Sequence, residues 1–268
     1  MKKLQRMVAK IGTGALRTDG RLDQRIFWDI ASQVAIVKHE GYEVFLISSG
    51  AVDAGKEYLT LLGIDFSSLN DGELSSIGTS RLLRLWEDAF LPHQLTIATS
   101  WLTHSDFRIR VHRENLRISG GKLSAFPSVV PVGNENDLIS RTELRKMPRG
   151  TGDNDYLARR VACLLQANIF LILTEAGGIW NGKPYAAGSR LYTELDGRTT
   201  FRLGAKNRGK SATGNGGPQS KINQASICFR RGMHSAIASP REKKVIIRCA
   251  AGELVGTTIS TRTTLSNG

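Results

Sequence analysis

Residues 152–174 read GDNDYLARRVACLLQANIFLILT, and this stretch decides the fold class. Apolar residues recur at helical spacing over 157–165, and Asp153 or Asn154 is a candidate cap for that helix. The run IFLILT (169–174) is continuously apolar and has the length of a strand. Such a strand is typical of a parallel sheet that is covered on both faces. The stretch therefore predicts a helix that packs on a buried parallel strand.

The same alternation extends in both directions along the chain. Strand candidates are RMVAK (6–10), YEVFLI (42–47), LTIATSWL (95–102), SVVPV (128–132), HSAIAS (234–239), KVIIRCA (244–250) and VGTTIS (255–260). Helices are predicted over about 22–40, from the turn SSGAVDAGK (48–56), over about 72–90 and over 220–232. Residues 185–213 are predicted to be irregular. This order predicts an α/β fold, with a mostly parallel sheet between helices on both faces.

The composition excludes several classes of protein. The 268 residues are 40% apolar and carry a formal net charge of +13. No apolar run reaches the roughly 18 residues of a membrane span, and no signal peptide is evident, so we expect a soluble, cytoplasmic protein without a membrane partner. The basic residues are scattered without interleaved aromatics, which does not predict nucleic-acid binding. Cys163, Cys228 and Cys249 are widely spaced, which predicts neither a disulfide scaffold nor a zinc site.

Five loops fall where the alternation places the ends of strands or the starts of helices. They are AKIGTG (9–14), SSGAVDAG (48–55), GNEND (133–137), TGDND (151–155) and GNGGPQSK (214–221). In open parallel sheets, ligands bind at the carboxyl ends of the strands. Together these loops supply two lysines, backbone donors and two acidic clusters, which is the set of groups that phosphoryl transfer requires.

The last loop overlaps a P-loop pattern, because GAKNRGKS (204–211) matches Gly, four residues and Gly-Lys-Ser. A working P-loop opens directly into a helix, whereas ATGNGG follows this match and makes a poor first helical turn. GNGGPQSK does open into a predicted helix. We therefore predict that Lys221, and not Lys210, faces phosphate. A P-loop NTPase remains an alternative reading of this segment.

In this order, the motifs resemble the glutamate 5-kinases of the amino acid kinase family. The likeness runs from VAKIGTGAL (8–16) to VGTTI (255–259), and its most specific part is NEND (134–137) followed by GDND (152–155). The resemblance implies an α/β fold, a three-layer αβα sandwich with a mostly parallel central sheet, built as one domain by residues 1–268. It also implies that residues up to about 168 hold the amino acid and those from about 169 hold the nucleotide.

The activity that the resemblance implies is ATP-dependent phosphorylation of the side-chain carboxylate of L-glutamate. The product is glutamyl 5-phosphate, and the reaction is the first step of proline biosynthesis. ATP and Mg²⁺ are the implied cofactors, no protein metal site is expected, and members of the family are commonly dimers or tetramers. Many members carry a C-terminal PUA domain, and we expect none here because the sequence stops at Gly268.

The resemblance also assigns roles to single residues. The implied catalytic residues are Lys10, Lys221 and Asp155. The implied substrate-binding residues are Ser49, Gly50, Asn134, Asp137 and Asn154. The implied cofactor-binding residues are Gly12, Thr174, Glu175, Gly214, Gly216 and Gly217.

The chemistry of these residue types agrees with the implied reaction. A carboxylate nucleophile is already ionised at neutral pH and needs no general base, and none of the five histidines lies in the motifs. The barrier is the repulsion between the carboxylate and the triphosphate, which Lys10 and Lys221 can offset with Mg²⁺ on the phosphates. Two lysines that face one phosphate also repel each other, so we expect Asp155 between them.

Departures from the family pattern lie on the nucleotide side and leave two further readings open. Pro218 removes a backbone donor, Asn215 replaces a threonine, and Glu175 stands where the family usually has aspartate. One alternative is a relative of the same fold that acts on another carboxylate or phosphate, such as acetylglutamate, aspartate or a nucleoside monophosphate. The other is a non-catalytic, nucleotide-binding regulatory protein.

Overall fold

The computed structural model describes residues 5–144, 153–204 and 217–266. The strands are β1 (Arg6–Ile11), β2 (Arg17–Thr18), β3 (Arg21–Leu22), β4 (Glu43–Ser48), β5 (Thr96–Leu102), β6 (Val129–Glu135), β7 (Ile169–Leu173), β8 (Ile179–Trp180), β9 (Leu191–Asp196), β10 (His234–Ala238), β11 (Thr257–Ser260) and β12 (Thr264–Leu265). The α-helices are α1 (Gln24–His39), α2 (Ala51–Leu61), α3 (Asp71–Phe90), α4 (Arg110–Asn115), α5 (Gly121–Ala125), α6 (Asp137–Leu144), α7 (Asp153–Leu164), α8 (Pro218–Phe229) and α9 (Val245–Ala250). Among these helices of the described residues, none is both long and apolar enough to cross a bilayer.

Within the described ranges, ten strands form one sheet in the order β12-β9-β11-β10-β7-β1-β4-β6-β5, with β8 paired to β9. All neighbours from β10 to β5 are parallel. Antiparallel pairs occur where β10 meets β11 and where β9 meets β8 and β12. The mostly parallel sheet that the sequence predicted is therefore confirmed. Because β1 lies between β7 and β4, the loops that leave these three strands meet at one edge of the sheet.

Side chains of β1 alternate between the two faces of the sheet. Met7, Ala9 and Ile11 belong to a core cluster that packs against α1, α3 and α9. Val8 belongs to a second cluster that includes residues of α7 and α8. Helices thus cover both faces, which confirms the three-layer αβα sandwich. Lys10 follows Val8 by two residues, so its side chain lies on the α7 and α8 face.

Local capping fixes where two long helices begin. The side chain of Asp23 accepts a hydrogen bond from the backbone N–H of Arg25 at 3.1 Å and starts α1. At the start of α3, Asn70 and Glu73 form a reciprocal capping box, in which each side chain accepts from the other's backbone N–H. These bonds satisfy N–H groups that have no acceptor within their own helix.

The prediction of a strand at KVIIRCA is wrong, because α9 forms there. Val245, Ile246, Cys249 and Ala250 are buried, which is the spacing of a helix face rather than the alternation of a strand. The β-branched side chains of Val245, Ile246 and Ile247 favour a strand locally. Packing of this face against the sheet overrides that preference.

The prediction that 185–213 is irregular is also wrong in part, because Leu191–Asp196 forms β9. The strand contains Glu194, which is 6% exposed. Its carboxylate accepts hydrogen bonds from Arg262 Nε at 2.8 Å and from Thr264 Oγ1 at 3.3 Å. These distant partners allow a charged residue inside a strand, and the sequence gives no local sign of them. Residues 205–213 lie outside the described ranges.

Candidate active site

Four adjacent strands bring predicted site residues to one edge of the sheet. In the order β7-β1-β4-β6, the carboxyl ends carry Thr174, Lys10, Ser49 and Asn134. The backbone N–H of Ser49 donates to the carbonyl of Ile11 at 2.9 Å, which ties the loop after β4 to the end of β1. Residues that are up to 164 positions apart in the sequence (Lys10 to Thr174) therefore lie in one row.

The first turn of α7 lies across these strand ends and completes a charged cluster of Lys10, Asp155 and Lys221, here named the lysine–aspartate cluster. Lys10 Nζ lies 2.9 Å from Asp155 Oδ1, and Lys221 Nζ lies 2.8 Å from Asp155 Oδ2. The side chain of Asp155 is 1% exposed. Each lysine therefore has a carboxylate oxygen of its own, and one buried charge positions two ammonium groups.

The charge balance of the lysine–aspartate cluster favours an anionic ligand. Burial by itself would raise the pKa of Asp155, but the charges of Lys10 and Lys221 outweigh it and hold that pKa below its ordinary value of 3.8. Asp155 is therefore ionised at neutral pH. Two ammonium groups and one carboxylate leave a positive excess, which attracts phosphate.

A second cluster lies beside the first and consists of Ser49, Asn134 and Asn154, here named the amide–hydroxyl cluster. Asn154 Nδ2 donates to Ser49 Oγ at 2.9 Å and to Asn134 Oδ1 at 3.1 Å. Asn134 Oδ1 also accepts from the backbone N–H of Glu135 at 2.9 Å, so this oxygen is an acceptor and Asn154 Nδ2 is the donor. Asn154 Oδ1 is buried and has no hydrogen-bond partner within the described part of the chain. The cluster therefore presents an unused acceptor.

This geometry overturns one expectation about α7. The prediction that Asn154 caps this helix is wrong, because Asn154 lies within the first described turn of α7. The alternative cap, Asp153, stays a prediction, since its side chain lies outside the described residues. The side chain of Asn154 bonds to residues of two other strand ends instead of to its own helix. Consecutive residues of one helical turn, Asn154 and Asp155, thus belong to the two clusters.

The other predicted substrate residues lie at the starts of α2 and α6. Gly50 precedes α2 with φ of 111°, a left-handed conformation that favours glycine. The first N–H groups of α2 have no acceptor within that helix, so they are available at this edge. Asp137 begins α6, and one of its carboxylate oxygens accepts a hydrogen bond from Ser75 Oγ at 2.6 Å. Ser75 thus fixes the orientation of a carboxylate that the sequence assigned to substrate binding.

The predicted nucleotide residues surround the end of β7. A Cβ atom at Gly12 would lie 3.4 Å from Lys10 Nζ, so the glycine leaves space beside the ammonium group. The N–H of Gly12 donates to the last carbonyl of β7 at 3.0 Å and is therefore used within the protein. Thr174 is partly buried and Glu175 is exposed, and the hydroxyl of Tyr185 donates to the Glu175 carbonyl at 3.2 Å.

The start of α8 carries Lys221 into the lysine–aspartate cluster. Gly217 precedes the helix without a capping side chain, and Pro218 is its first residue. Proline suits this position, because an N–H there has no acceptor in the helix. Gln219 holds the helix start in place, since its amide bonds to the backbone of Phe201 at 2.8 Å and of Leu203 at 3.0 Å.

Some predicted residues lie outside the described ranges and stay predictions. These are Thr151 and Gly152 of the loop TGDND, and Gly214 and Gly216 of the loop GNGGPQSK. Lys210 and the P-loop pattern beyond its first residue also lie outside these ranges. The described part of this segment, from Gly217 onward, enters a helix as expected for GNGGPQSK.

The close contact of α2 and α3, which positions Ser75, was not predicted from the sequence. A Cβ atom at Gly78 would lie 1.9 Å from the carbonyl oxygen of Ala51, and one at Gly55 would lie 2.1 Å from that of Leu74. The two helices are therefore in backbone contact. The signal was present as small residues at helical spacing in both segments, but their pairing is a tertiary property.

A buried histidine, His104, lies at the edge of the site and was not predicted from the sequence. His104 Nε2 lies 3.5 Å from Glu135 Oε1, and these side chains are 4% and 0% exposed. The ring of Tyr156 packs edge-on against His104, with the centroids 5.0 Å apart. Because His104 follows β5 and Glu135 ends the neighbouring β6, only the strand order brings them together, and no local motif marks the histidine.

Comparison with known proteins places the chain in a family. Residues 5–239 match the amino acid kinase family. The chain belongs to the amino acid kinase family. Glutamate 5-kinase of Citrifermentans bemidjiense is 34% identical over 260 residues, which cover 96% of this chain and 68% of that protein. Glutamate 5-kinases of Nitrosococcus oceani (34% over 268 residues) and Pseudomonas entomophila (35% over 260 residues) have the same coverage. This amino acid kinase chain thus spans 68% of the length of these relatives.

Solved structures show the same fold. UMP kinase from Bacillus anthracis superposes with a TM-score of 0.61 at 16% identity, covering 98% of this chain and 99% of that one. UMP kinase from Ureaplasma parvum gives a TM-score of 0.58 at 15% identity, with 96% and 99% covered. At such identities the likeness is one of fold alone. The family resemblance that the motifs indicated is confirmed by the sequence relatives.

Proposed function

We propose that this amino acid kinase phosphorylates the side-chain carboxylate of L-glutamate with ATP and so catalyses the first step of proline biosynthesis. One observation carries the proposal: a single buried carboxylate, Asp155, holds Lys10 and Lys221 at 2.9 and 2.8 Å beside a polar cluster suited to an amino acid. The glutamate 5-kinases named above, which match 96% of the chain, support this choice of substrate.

The amide–hydroxyl cluster is the proposed site for the amino acid. Asn154 Oδ1, a buried acceptor, suits the α-ammonium group of glutamate. Asp137, oriented by Ser75, adds a negative charge for the same group. Ser49 Oγ accepts from Asn154 and keeps its own hydrogen for a carboxylate of the substrate. Gly50 leaves room for that carboxylate to approach the first N–H groups of α2.

The lysine–aspartate cluster is the proposed phosphate site. ATP supplies the phosphoryl group, and the Mg²⁺ that it carries lowers the charge of its phosphates. The donor set at this edge fits phosphate rather than a bare metal ion, because both oxygens of Asp155 already take ammonium groups. Thr174, Glu175 and Gly217 are proposed to line the nucleotide side, together with Gly12, Gly214 and Gly216.

The residues of the chain need to supply charge and position, and not a base. The glutamate carboxylate is ionised at neutral pH and can attack without losing a proton. Lys10, whose strand β1 lies next to the strand β4 that leads to Ser49, stabilises negative charge where the carboxylate oxygen meets the phosphoryl group. Lys221 stabilises charge from the α8 side, and Asp155 keeps both ammonium groups in place before substrate arrives.

The test is an acyl-phosphate assay with the purified chain, ATP, Mg²⁺ and hydroxylamine. L-Glutamate is expected to give a hydroxamate in equal amount to ADP. Acetylglutamate, L-aspartate and UMP are the comparison substrates, and each represents a relative of the same fold. A larger yield of hydroxamate with acetylglutamate or L-aspartate, or formation of UDP from UMP at a higher rate than hydroxamate from L-glutamate, would replace the proposed substrate.

Further measurements distinguish a kinase from a protein that only binds ATP and from an ATPase. The Lys221→Met variant is expected to lose hydroxamate formation but to stay folded by circular dichroism at the assay temperature, because Asp155 keeps Lys10 as its partner. If the folded chain binds ATP but forms no product at millimolar substrate concentrations, the kinase proposal is contradicted and a regulatory protein is favoured. ADP release without hydroxamate would indicate an ATPase instead.

The arrangement of the whole protein is also proposed. We infer that residues 1–268 form one domain, with the amino acid held by the part up to 168 and the nucleotide by the part from 169 onward. We further propose a cytoplasmic homo-oligomer, a dimer or a tetramer. Light scattering on the purified chain tests the oligomer, and a monomer at micromolar concentration would contradict it.

A further inference from the structure

Helices α7 and α8 pack side by side, and polar contacts recur along the seam between them. The α7 residues at this seam are spaced by four positions, and the α8 residues by three and four, so each set lies on one helix face. The facing residues are Asp155, Arg159 and Cys163 on α7 and Lys221, Gln224 and Cys228 on α8. The first contact joins Asp155 to Lys221 at 2.8 Å, and the second joins Arg159 Nε to Gln224 Oε1 at 2.6 Å. The third position of the same register pairs the two cysteines.

The register set by the first two contacts places Cys163 beside Cys228 at this third position. Cys228 belongs to the buried core cluster that residues of α7 and α8 build, and Cys163 packs against the same cluster. Both cysteines are reduced, and they lie in the last turns of their helices. Cys228 is fully buried, whereas Cys163 is only half-buried and can be reached from solvent. Cysteines that are 65 positions apart in the sequence (163 to 228) thus form an adjacent dithiol.

The surroundings make the two thiols chemically unequal. The hydrogen bond from Cys228 and the guanidinium of Arg231 lower the pKa of Cys163 to about 6, although burial opposes them, and the charge of Arg159 acts in the same direction. The hydrogen bond to Cys163, together with burial, raises the pKa of Cys228. Burial raises the pKa of the remaining cysteine, Cys249, to about 12. One partly exposed cysteine with a lowered pKa therefore lies beside one buried cysteine with a raised pKa.

We propose that Cys163 and Cys228 form an oxidation site for hydroperoxides, with Cys163 as the attacking thiolate and Cys228 as the resolving thiol. In the first step the Cys163 sulfur attacks hydrogen peroxide; an S–O bond forms, the O–O bond breaks, and the leaving hydroxide takes a solvent proton to become water. In the second step the Cys228 sulfur attacks the Cys163 sulfur; the S–S bond forms and the S–O bond breaks. The hydroxide that leaves takes the proton of Cys228, so two thiols and one peroxide give one disulfide and two waters.

The position of the dithiol gives this oxidation a structural consequence. Cys163 lies eight residues after Asp155 on one helix, which is about 12 Å along its axis. A disulfide at the far end of the seam would join the helix that carries Asn154 and Asp155 to the helix that carries Lys221. Oxidation would therefore restrain the two helices that supply the lysine–aspartate cluster relative to each other.

The experiment uses the reduced, wild-type chain and does not depend on the kinase activity. One equivalent of hydrogen peroxide is added at neutral pH, free thiols are blocked with N-ethylmaleimide, and tryptic peptides are analysed by mass spectrometry. We expect a link between peptide 161–190 and peptide 222–230 that a dithiol reductant removes. The peptide of Cys249 should remain fully blocked, since Cys163 should react at least ~10²-fold faster than Cys249.

The Cys228→Ala variant tests the assignment of the two roles, and Cys249→Ala is its matched control. With Cys228 removed, Cys163 should stop at the sulfenic acid and be trapped by dimedone, whereas Cys249→Ala should form the same link as the wild type. A wild-type chain that keeps its circular dichroism and forms no link would overturn the proposal. Oxidation of Cys249 at the rate of Cys163 would overturn it as well, and this readout stands even if the Cys228→Ala variant does not fold.

Discussion

Replacing Asp155 by asparagine removes the charge that holds two ammonium groups and keeps the shape of the side chain. Asp155 is 1% exposed, and its lysine partners are 8% and 9% exposed, so both ion pairs are nearly buried. Removing one partner of a buried ion pair typically costs about 3–5 kcal/mol, because the remaining charge is left without compensation. For a chain of this size that loss corresponds to a fall in melting temperature of roughly 6–10 °C.

The same substitution should reduce catalysis. Without the carboxylate, Lys10 and Lys221 repel each other and lose their common anchor, so they no longer converge on one phosphate. We expect kcat in the hydroxamate assay to fall by about 10²-fold, as for the loss of one preorganised charge in an active site. The KM for L-glutamate should change less, because Asn154 and Ser49 are unaltered.

The pH dependence of stability gives an independent check. The lysines hold the folded-state pKa of Asp155 below 3.8, so this contribution to the free energy of unfolding is present above pH ~4 and is lost as the pH falls through the folded-state pKa. Asparagine does not titrate. The difference in melting temperature between wild type and Asp155→Asn should therefore be largest at pH 7 and should decrease below pH ~4.

Glu43→Gln provides a matched control at the opposite end of the same strands. Glu43 is 7% exposed and pairs with Arg6, where β4 and β1 begin. Its loss should lower the melting temperature, but kcat should stay within about twofold because Arg6 lies some 13 Å along β1 from Lys10. Wild-type kcat in Asp155→Asn, or a difference in melting temperature that persists unchanged at pH 3, would refute the reasoning.

The remaining predictions concern the two sides of the site and its scaffold. Lys221→Ala should lower kcat by about 10²–10³-fold, whereas Lys210→Ala should not, and the opposite ranking in the hydroxamate assay would restore the P-loop reading. Asn154→Ala should raise the KM for L-glutamate by about 10–100-fold through the loss of hydrogen bonds to a charged substrate, with the KM for ATP as the internal reference. Gly78→Ala should lower the melting temperature by several degrees, because its Cβ would lie 1.9 Å from the Ala51 carbonyl oxygen. Gly121→Ala should leave the melting temperature unchanged, because its new Cβ would meet no atom nearer than Arg6 Nη2 at 3.8 Å. Equal melting temperatures for the two variants would contradict the close contact of α2 and α3.

Local sequence patterns were sufficient to predict the fold class and the loops that carry the chemistry. Continuous apolar strands such as 169–173 and amphipathic helices such as α1 depend on local periodicity, which can be read along one segment. Because parallel strands all end at one edge, the loops after β1, β4, β6 and β7 could be expected to meet there. The family motifs then supplied Lys10, Asp155 and Lys221 as expected partners.

Which atoms meet depends on how distant segments of the chain pack together. Asn154 looked like a helix cap and instead donates to Ser49 and Asn134, because α7 lies across the strand ends. KVIIRCA looked like a strand and is α9, because its apolar side chains pack on the sheet as one helix face. The glycine contact of α2 with α3, the buried pair of His104 with Glu135 and the adjacent thiols of Cys163 and Cys228 all join segments that are distant in the chain. Such contacts are set by strand order and helix packing, for which a single sequence carries no local signal.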